Sequence, residues 1–191
     1  DLIHARLGEK ALFVVSNREP YIHIMDESTG KPKCIRPASG VVTAIDPIMR
    51  ACGGTWIAHG SGNADKKFVN SKDKLGLPPN DNRYILKRVW LSKEEEQGYY
   101  YGFANEGLWP LCHLTHTRPI FRESDWQVYK KVNQKFADSI IEELPAKNPF
   151  VFIQDYHFTL LPKMIKEKRP DANLALFWHI PWPNPEVFST C

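Results

Sequence analysis

The stretch "PFVFIQDYHFTLLPKMIKEKRPDANLALFWHI", Pro149 to Ile180, decides the fold. Its opening run, PFVFIQD, is apolar on both faces and too short for a helix, the pattern of a strand covered on both sides. FTLLPKMIKEKRP reads as a helix, and NLALFWHI as a second apolar strand. Strand, helix and strand in succession make a βαβ unit, with a right-handed crossover and parallel strands. Working outward, the same logic predicts strands in ALFVVSNRE (Ala11–Glu19) and in TWIAHGSG from Thr55, while RYILKRVWLS from Arg83 alternates well enough for another. Ser39–Gly54 reads as a helix, with Ser39 as N-cap, Gly53-Gly54 as the stop and Pro47 awkwardly inside it. The fold class is α/β, a parallel sheet flanked by helices.

Residues 21–38 read as a hairpin around STGK. That Gly-Lys is no P-loop, because the upstream glycine is absent and Pro32 follows. Residues 63–83 are polar and predict a long surface loop. Ser92 before KEEE is a helix start with acidic first-turn residues. QGYYYGFANEGLWPLCH (Gln97–His113) is too punctuated by glycine for one regular element. Glu123–Leu144 is the clearest amphipathic helix, with Trp126, Val128, Tyr129, Val132, Phe136, Ile140 and Leu144 at near-helical spacing and Pro145 ending it.

A length of 191 residues with 42% hydrophobic residues is enough for one sizeable core. The net charge is +3 and the basic residues are dispersed, which argues against a dedicated nucleic-acid surface. The four cysteines, Cys34, Cys52, Cys112 and Cys191, form no C-x-x-C pair, so neither a zinc site nor a disulfide framework is indicated. No apolar run approaches the ~18 residues of a membrane span, and no signal-like segment opens the chain. These features predict a cytoplasmic protein that uses no membrane.

In an open parallel α/β sheet, ligands bind at the carboxyl ends of the strands. The first strand ends in Ser16, Asn17 and Arg18; the Trp56 strand in His59, Gly60, Ser61 and Gly62. The Val151 strand ends in Asp155, Tyr156 and His157, and the Leu174 strand in His179. Taken singly, each has an ordinary reading: a surface ion pair for Arg18, a helix cap for Asp155, a structural role for His179, packing for Tyr100 and Trp109, a turn for Gly60. Four strand ends that all finish in polar residues instead point to one shared site. Arg18 offers a planar donor fork for an anionic oxygen, and Asp155 an acceptor for sugar hydroxyls. Gly40 opens a helix whose free N–H groups and dipole suit a phosphate. Trp109 and Tyr100 can stack on a pyranose ring. Nothing resembles a metal triad or a Ser-His-Asp order.

At "SNRE", "SGVVTA", "YYYGFANEGLWPLCH", "QDYHFTLLP" and "FWHIPWPNPEVF" the chain resembles the trehalose-6-phosphate synthase family, glycosyltransferase family 20 of the retaining GT-B class. The resemblance runs from about Ala11 to Phe188. It implies a Rossmann-like N-terminal domain over residues 1–191, a nucleotide-glucose donor, classically UDP-glucose, a sugar-phosphate acceptor, classically glucose-6-phosphate, and no metal or other cofactor. It further implies that Arg18 meets the acceptor phosphate, with Tyr100 on the same side. Asp155 would bind acceptor hydroxyls, Trp109 and His59 would line the acceptor pocket, Gly40 would lie near the donor diphosphate, and His179 would sit beside the transferring glucose. His59 stands where the family carries a second Trp, and Ser39-Gly40 where it carries a glycine pair. A glucosylglycerol-phosphate synthase-like enzyme with another phosphorylated acceptor, a catalytically silent regulatory homologue and a homo-oligomer stay open. GT-B enzymes hold the donor nucleotide mainly on a C-terminal domain, which has no counterpart in these residues. The chain alone is therefore expected to show no transfer.

Overall fold

The computed structural model describes residues 10–145 and 148–189. LFVVSNR folds as β1 (Leu12–Arg18), its first five residues all buried. There follow a hairpin of β2 (Ile22–Met25) and β3 (Pro32–Ile35), helix α1 (Gly40–Cys52), β4 (Thr55–His59), a 3₁₀ turn at Asp65–Phe68, β5 (Lys74–Leu77) and β6 (Tyr84–Val89). Next come α2 (Lys93–Glu96), a π-helix at Gln97–Leu108, α3 (Trp109–His113) and α4 (Glu123–Glu143). β7 (Phe150–Gln154), a 3₁₀ turn at Tyr156–Phe158, α5 (Leu161–Lys168), β8 (Asn173–Phe177) and α6 (Pro185–Phe188) complete the order. Six strands form a mixed sheet in the order β5-β6-β4-β1-β7-β8. β4 pairs in parallel with both β1 and β6, and β5 closes an edge antiparallel to β6.

The chain divides into two compact units. The first holds β1 to β6 with α1, and residues 144–152 and 171–173. Its core gathers Leu12, Val14, Val42, Ile45, Met49, Trp56 and Leu86. Val42, Ile45 and Met49 recur three and four residues apart, so α1 turns one apolar stripe inward. That burial carries the helix past Pro47, whose missing N–H leaves a gap in the ladder. Gly53 ends α1 at φ 72°, its N–H donating to the Met49 carbonyl at 2.9 Å.

The second unit holds residues 91–143, 153–170 and 174 onward. α2 opens on a capping box, Ser92 and Glu95 each accepting the other's backbone N–H. The region expected to be broken, Gln97–His113, is instead helical throughout, wound first as π-helix and then as α3. Its glycines allow this. A Cβ on Gly98 would lie 2.8 Å from the Val128 Cβ, and one on Gly102 2.6 Å from the Asp125 carboxyl carbon, both in α4. The spacing of Gly98, Gly102 and Gly107 is longer than the 3.6 residues of an α-helical turn and suits a winding closed by i→i+5 bonds. The loop expected over 63–83 contains the Asp65–Phe68 turn and β5. The Pro-rich exit forms α6, capped where Asn184 Oδ1 accepts the Val187 N–H at 3.0 Å. No helix among the described residues is long and apolar enough to cross a membrane.

Candidate functional site: two strand ends and a buried ion cluster

In the second unit, β7 stops at Gln154 and the chain turns sharply at Asp155, whose φ of 76° and ψ of 172° lie where side chains other than glycine's are strained. Several bonds hold it there. The Asp155 N–H donates to the Phe177 carbonyl at 2.7 Å. Its Oδ1 accepts the backbone N–H of Tyr156 at 2.9 Å and that of His179 at 3.2 Å. Burial pushes the Asp155 carboxyl above its usual range; the two N–H groups and the nearby His179 ring partly offset this. The His179 ring is exposed, packs 4.5 Å from the Phe177 ring and places Nε2 2.9 Å from Gln154 Oε1.

The corner after Asp155 is fixed from below by α4. Tyr129 Oη donates to the Tyr156 carbonyl at 2.6 Å, and Asn133 Nδ2 donates to the His157 carbonyl at 3.2 Å. Tyr156 Oη donates to Asn105 Oδ1 of the π-helix at 2.9 Å. The Tyr100 ring stacks on His157 at 5.3 Å, and His157 on Tyr156 at 4.2 Å. Tyr100 is thus joined to the Asp155 corner through two rings. Trp109 stacks on His113 of its own helix at 4.0 Å and is 41% exposed. Two apolar hollows, of about 470 and 600 Å³, lie around Leu111 and α6, and neither is lined by Asp155 or His179.

In the first unit, β1 and β4 end side by side, with Arg18 opposite His59. The register slips between Ser16 and Arg18, the mark of a bulge, which re-aims the residues after it. Ser16 fixes the bulge by donating to the Arg18 carbonyl at 2.6 Å and accepting the Trp56 indole N–H at 2.7 Å. The Arg18 side chain is exposed, and no hydrogen bond or ion pair to its guanidinium occurs among the described residues. His59 is buried, its Nδ1 3.2 Å from the Val89 carbonyl. Ser39 stands at the N-cap of α1 without making a side-chain cap bond, so it does not occupy the first-turn N–H groups. A Cβ on Gly40 would meet nothing within 4 Å.

Directly after Arg18 lies a cluster that sequence reasoning missed. Arg88, fully buried, donates through Nε to Glu19 Oε2 at 2.6 Å and faces Asp65 Oδ1 at 2.8 Å. It also reaches the carbonyls of Asp65 and Tyr21 and the Nδ1 of His23. Glu19 in turn accepts the Ser61 N–H at 2.9 Å, and Asp65 accepts the Gly62 N–H at 2.6 Å. Two carboxylates and one guanidinium share a dry space. Burial, with a hydrogen bond shared with Asp65, pushes the Glu19 carboxyl upward against the pull of Arg88. Burial and the Arg88 charge push the His23 imidazole down, against the pull of Asp65. The cluster fastens the Ser61-Gly62 exit of β4 to the exit of β1. Alternation gave no warning of it, because Arg88 stands beside Lys87 in its strand and the pattern marks neither as buried. Among the described residues no three His, Cys, Asp or Glu side chains are grouped to hold a metal ion.

Trehalose-6-phosphate synthases are among the proteins this chain is similar to. That of Mycolicibacterium vanbaalenii is 35% identical over 184 residues, covering 96% of this chain and 36% of the relative. That of Mycobacterium avium is 34% identical over 186 residues, again covering 96% of this chain and 36% of the relative. A solved E. coli structure, described as trehalose-6-phosphate bound with UDP-2-fluoro glucose, superposes at a TM-score of 0.72 with 26% identity, over 94% of this chain and 35% of the other. The chain spans about a third of the length of the relatives it matches. The profile of glycosyltransferase family 20 matches residues 10–191. The chain belongs to glycosyltransferase family 20.

Proposed function

We propose that the protein carrying this chain is a retaining glucosyltransferase that moves glucose from UDP-glucose to glucose-6-phosphate, giving trehalose-6-phosphate. The observation that carries the reading is the strand-end pair in the second unit. A strained, half-buried Asp155 and an exposed His179 are bonded to each other at the place where α/β sheets bind ligands. The 35% identity to a trehalose-6-phosphate synthase and the UDP-2-fluoro glucose bound in the E. coli structure support the choice of donor and product.

Each residue then has a physical role. Arg18, exposed and without a partner among the described residues, holds the acceptor phosphate as a bidentate donor. Asp155 keeps Oδ1 for its own backbone bonds and offers Oδ2 to acceptor hydroxyls. His179 lies beside the transferred glucose and positions it, while charge stabilisation replaces an enzymic nucleophile. Tyr100, braced by His157, lines the acceptor side, as does Trp109. The first-turn N–H groups of α1 at Gly40 face the donor diphosphate. His59 shapes the acceptor pocket from beneath, since its ring is buried and tied to Val89.

Replacement of Arg18 by Ala in the full-length protein tests the assignment. The KM for glucose-6-phosphate should rise at least about tenfold, as for a lost charge-assisted pair, with the KM for UDP-glucose kept. An unchanged glucose-6-phosphate KM would remove Arg18 from the phosphate site.

A further inference from the structure

Gln154, the last residue of β7, precedes Asp155 and is 2% exposed. Its Oε1 lies 2.9 Å from His179 Nε2, the one hydrogen bond of its side chain among the described residues. The amide Nε2 of Gln154 is buried and has no hydrogen-bond partner among the described residues. A buried amide usually turns to satisfy both of its ends, so one that leaves its N–H₂ group idle is held in place by the bond it does make. Around His179, Asp155 takes the backbone N–H, Gln154 the ring nitrogen, and Phe177 packs against the ring. Two consecutive residues thus grip the same histidine at backbone and ring.

We propose that Gln154 is a positioning residue for His179: its carbonyl accepts the Nε2–H and so holds the neutral imidazole as the Nε2–H tautomer, with the Nδ1 lone pair left for the ligand. An amide oxygen accepts but cannot donate, so it selects the protonated ring nitrogen. His179 Nδ1 has no hydrogen-bond partner among the described residues. The functional half rests on the role proposed above for His179; the tautomer does not.

The test uses the full-length protein with ¹⁵N-labelled histidine, the His179 signals being assigned by their loss in His179→Gln. Long-range ¹H–¹⁵N spectra separate the two tautomers. The wild type should show Nε2 protonated and Nδ1 bare. Gln154→Glu keeps an acceptor and should keep that tautomer while raising the pH at which the ring titrates. Gln154→Met, similar in size without an acceptor, should give a mixture, and kcat should fall at least about tenfold with the glucose-6-phosphate KM held within about twofold, the pattern of lost alignment. A wild-type Nδ1–H tautomer, or the same tautomer in Gln154→Met, overturns the proposal. Where Gln154→Met does not fold, the wild-type tautomer and the Gln154→Glu shift decide it. A changed tautomer with unchanged kcat leaves the hydrogen bond standing and overturns the role given to His179.

Discussion

Asp155 Oδ1 accepts the backbone N–H of His179 at 3.2 Å while Asp155 itself sits at a φ of 76°. The bond ties the exit of β8 to the exit of β7, and the strain is the cost of aiming the carboxylate. A backbone in this region costs a residue with a Cβ about 1–3 kcal/mol, and glycine much less.

Two replacements separate strain from chemistry. Asp155→Ala keeps the strain and removes the bonds from Tyr156 and His179, so it should destabilise by about 1–3 kcal/mol. Asp155→Gly relaxes the backbone and should recover roughly 1 kcal/mol of that loss. Both should lose transfer by about a hundredfold or more. Urea unfolding midpoints and initial rates check this; a glycine variant less stable than the alanine variant would contradict the strain.

Arg88 stands between two buried carboxylates, and its removal leaves them facing each other in a dry interior. Arg88→Met should destabilise by about 3–5 kcal/mol, far more than truncation of the exposed Arg18, which should stay within about 0.5 kcal/mol. Chemical denaturation of both variants gives the comparison, and equal effects would mean that the cluster does not hold the first unit together.

The glycines divide the same way. Gly98→Ala drives a methyl against Val128 and should cost about 1–3 kcal/mol. Gly40→Ala meets no atom and should cost no stability, while donor binding weakens where the diphosphate must approach the α1 backbone. Melting temperatures with and without UDP-glucose read both effects; a Gly40→Ala variant with wild-type donor affinity would put the diphosphate elsewhere.

Glu95 supplies a pH dependence. Burial pushes its carboxyl up, but hydrogen bonds from Lys135, the Ser92 backbone and Lys131 outweigh that and hold it at about 2. A folded value below the usual one contributes stability that is present above about pH 5 and fades as pH falls toward 2. Lys135→Met should therefore flatten the acid limb of the stability curve, by about 1 kcal/mol between pH 6 and 3 after allowance for solvent at the half-exposed lysines. A limb of unchanged slope would exclude Glu95 as a source of it.

The strand ends were legible in the sequence because apolar runs such as FVFI stop abruptly at polar residues. The βαβ order followed from the same runs. The π-helix was not legible: the 3.6-residue period makes Gly98, Gly102 and Gly107 look like breaks, whereas Gly98 and Gly102 face α4 and Gly107 faces Ile120 and Phe121 just before it. Charge pairing across distant strands was equally hidden, since nothing local marks Arg88, Glu19 and Asp65 as partners. Tyr129 and Asn133 read as ordinary residues of an amphipathic helix, although their polar ends hold the Tyr156 and His157 carbonyls.

The most direct measurement incubates the full-length protein with UDP-glucose and glucose-6-phosphate and follows release of UDP together with the configuration of the product. The expected result is trehalose-6-phosphate with the α-configuration retained, formed only when both substrates are present and abolished in His179→Ala. UDP release that ignores glucose-6-phosphate, or full transfer by the His179→Ala variant, would contradict it.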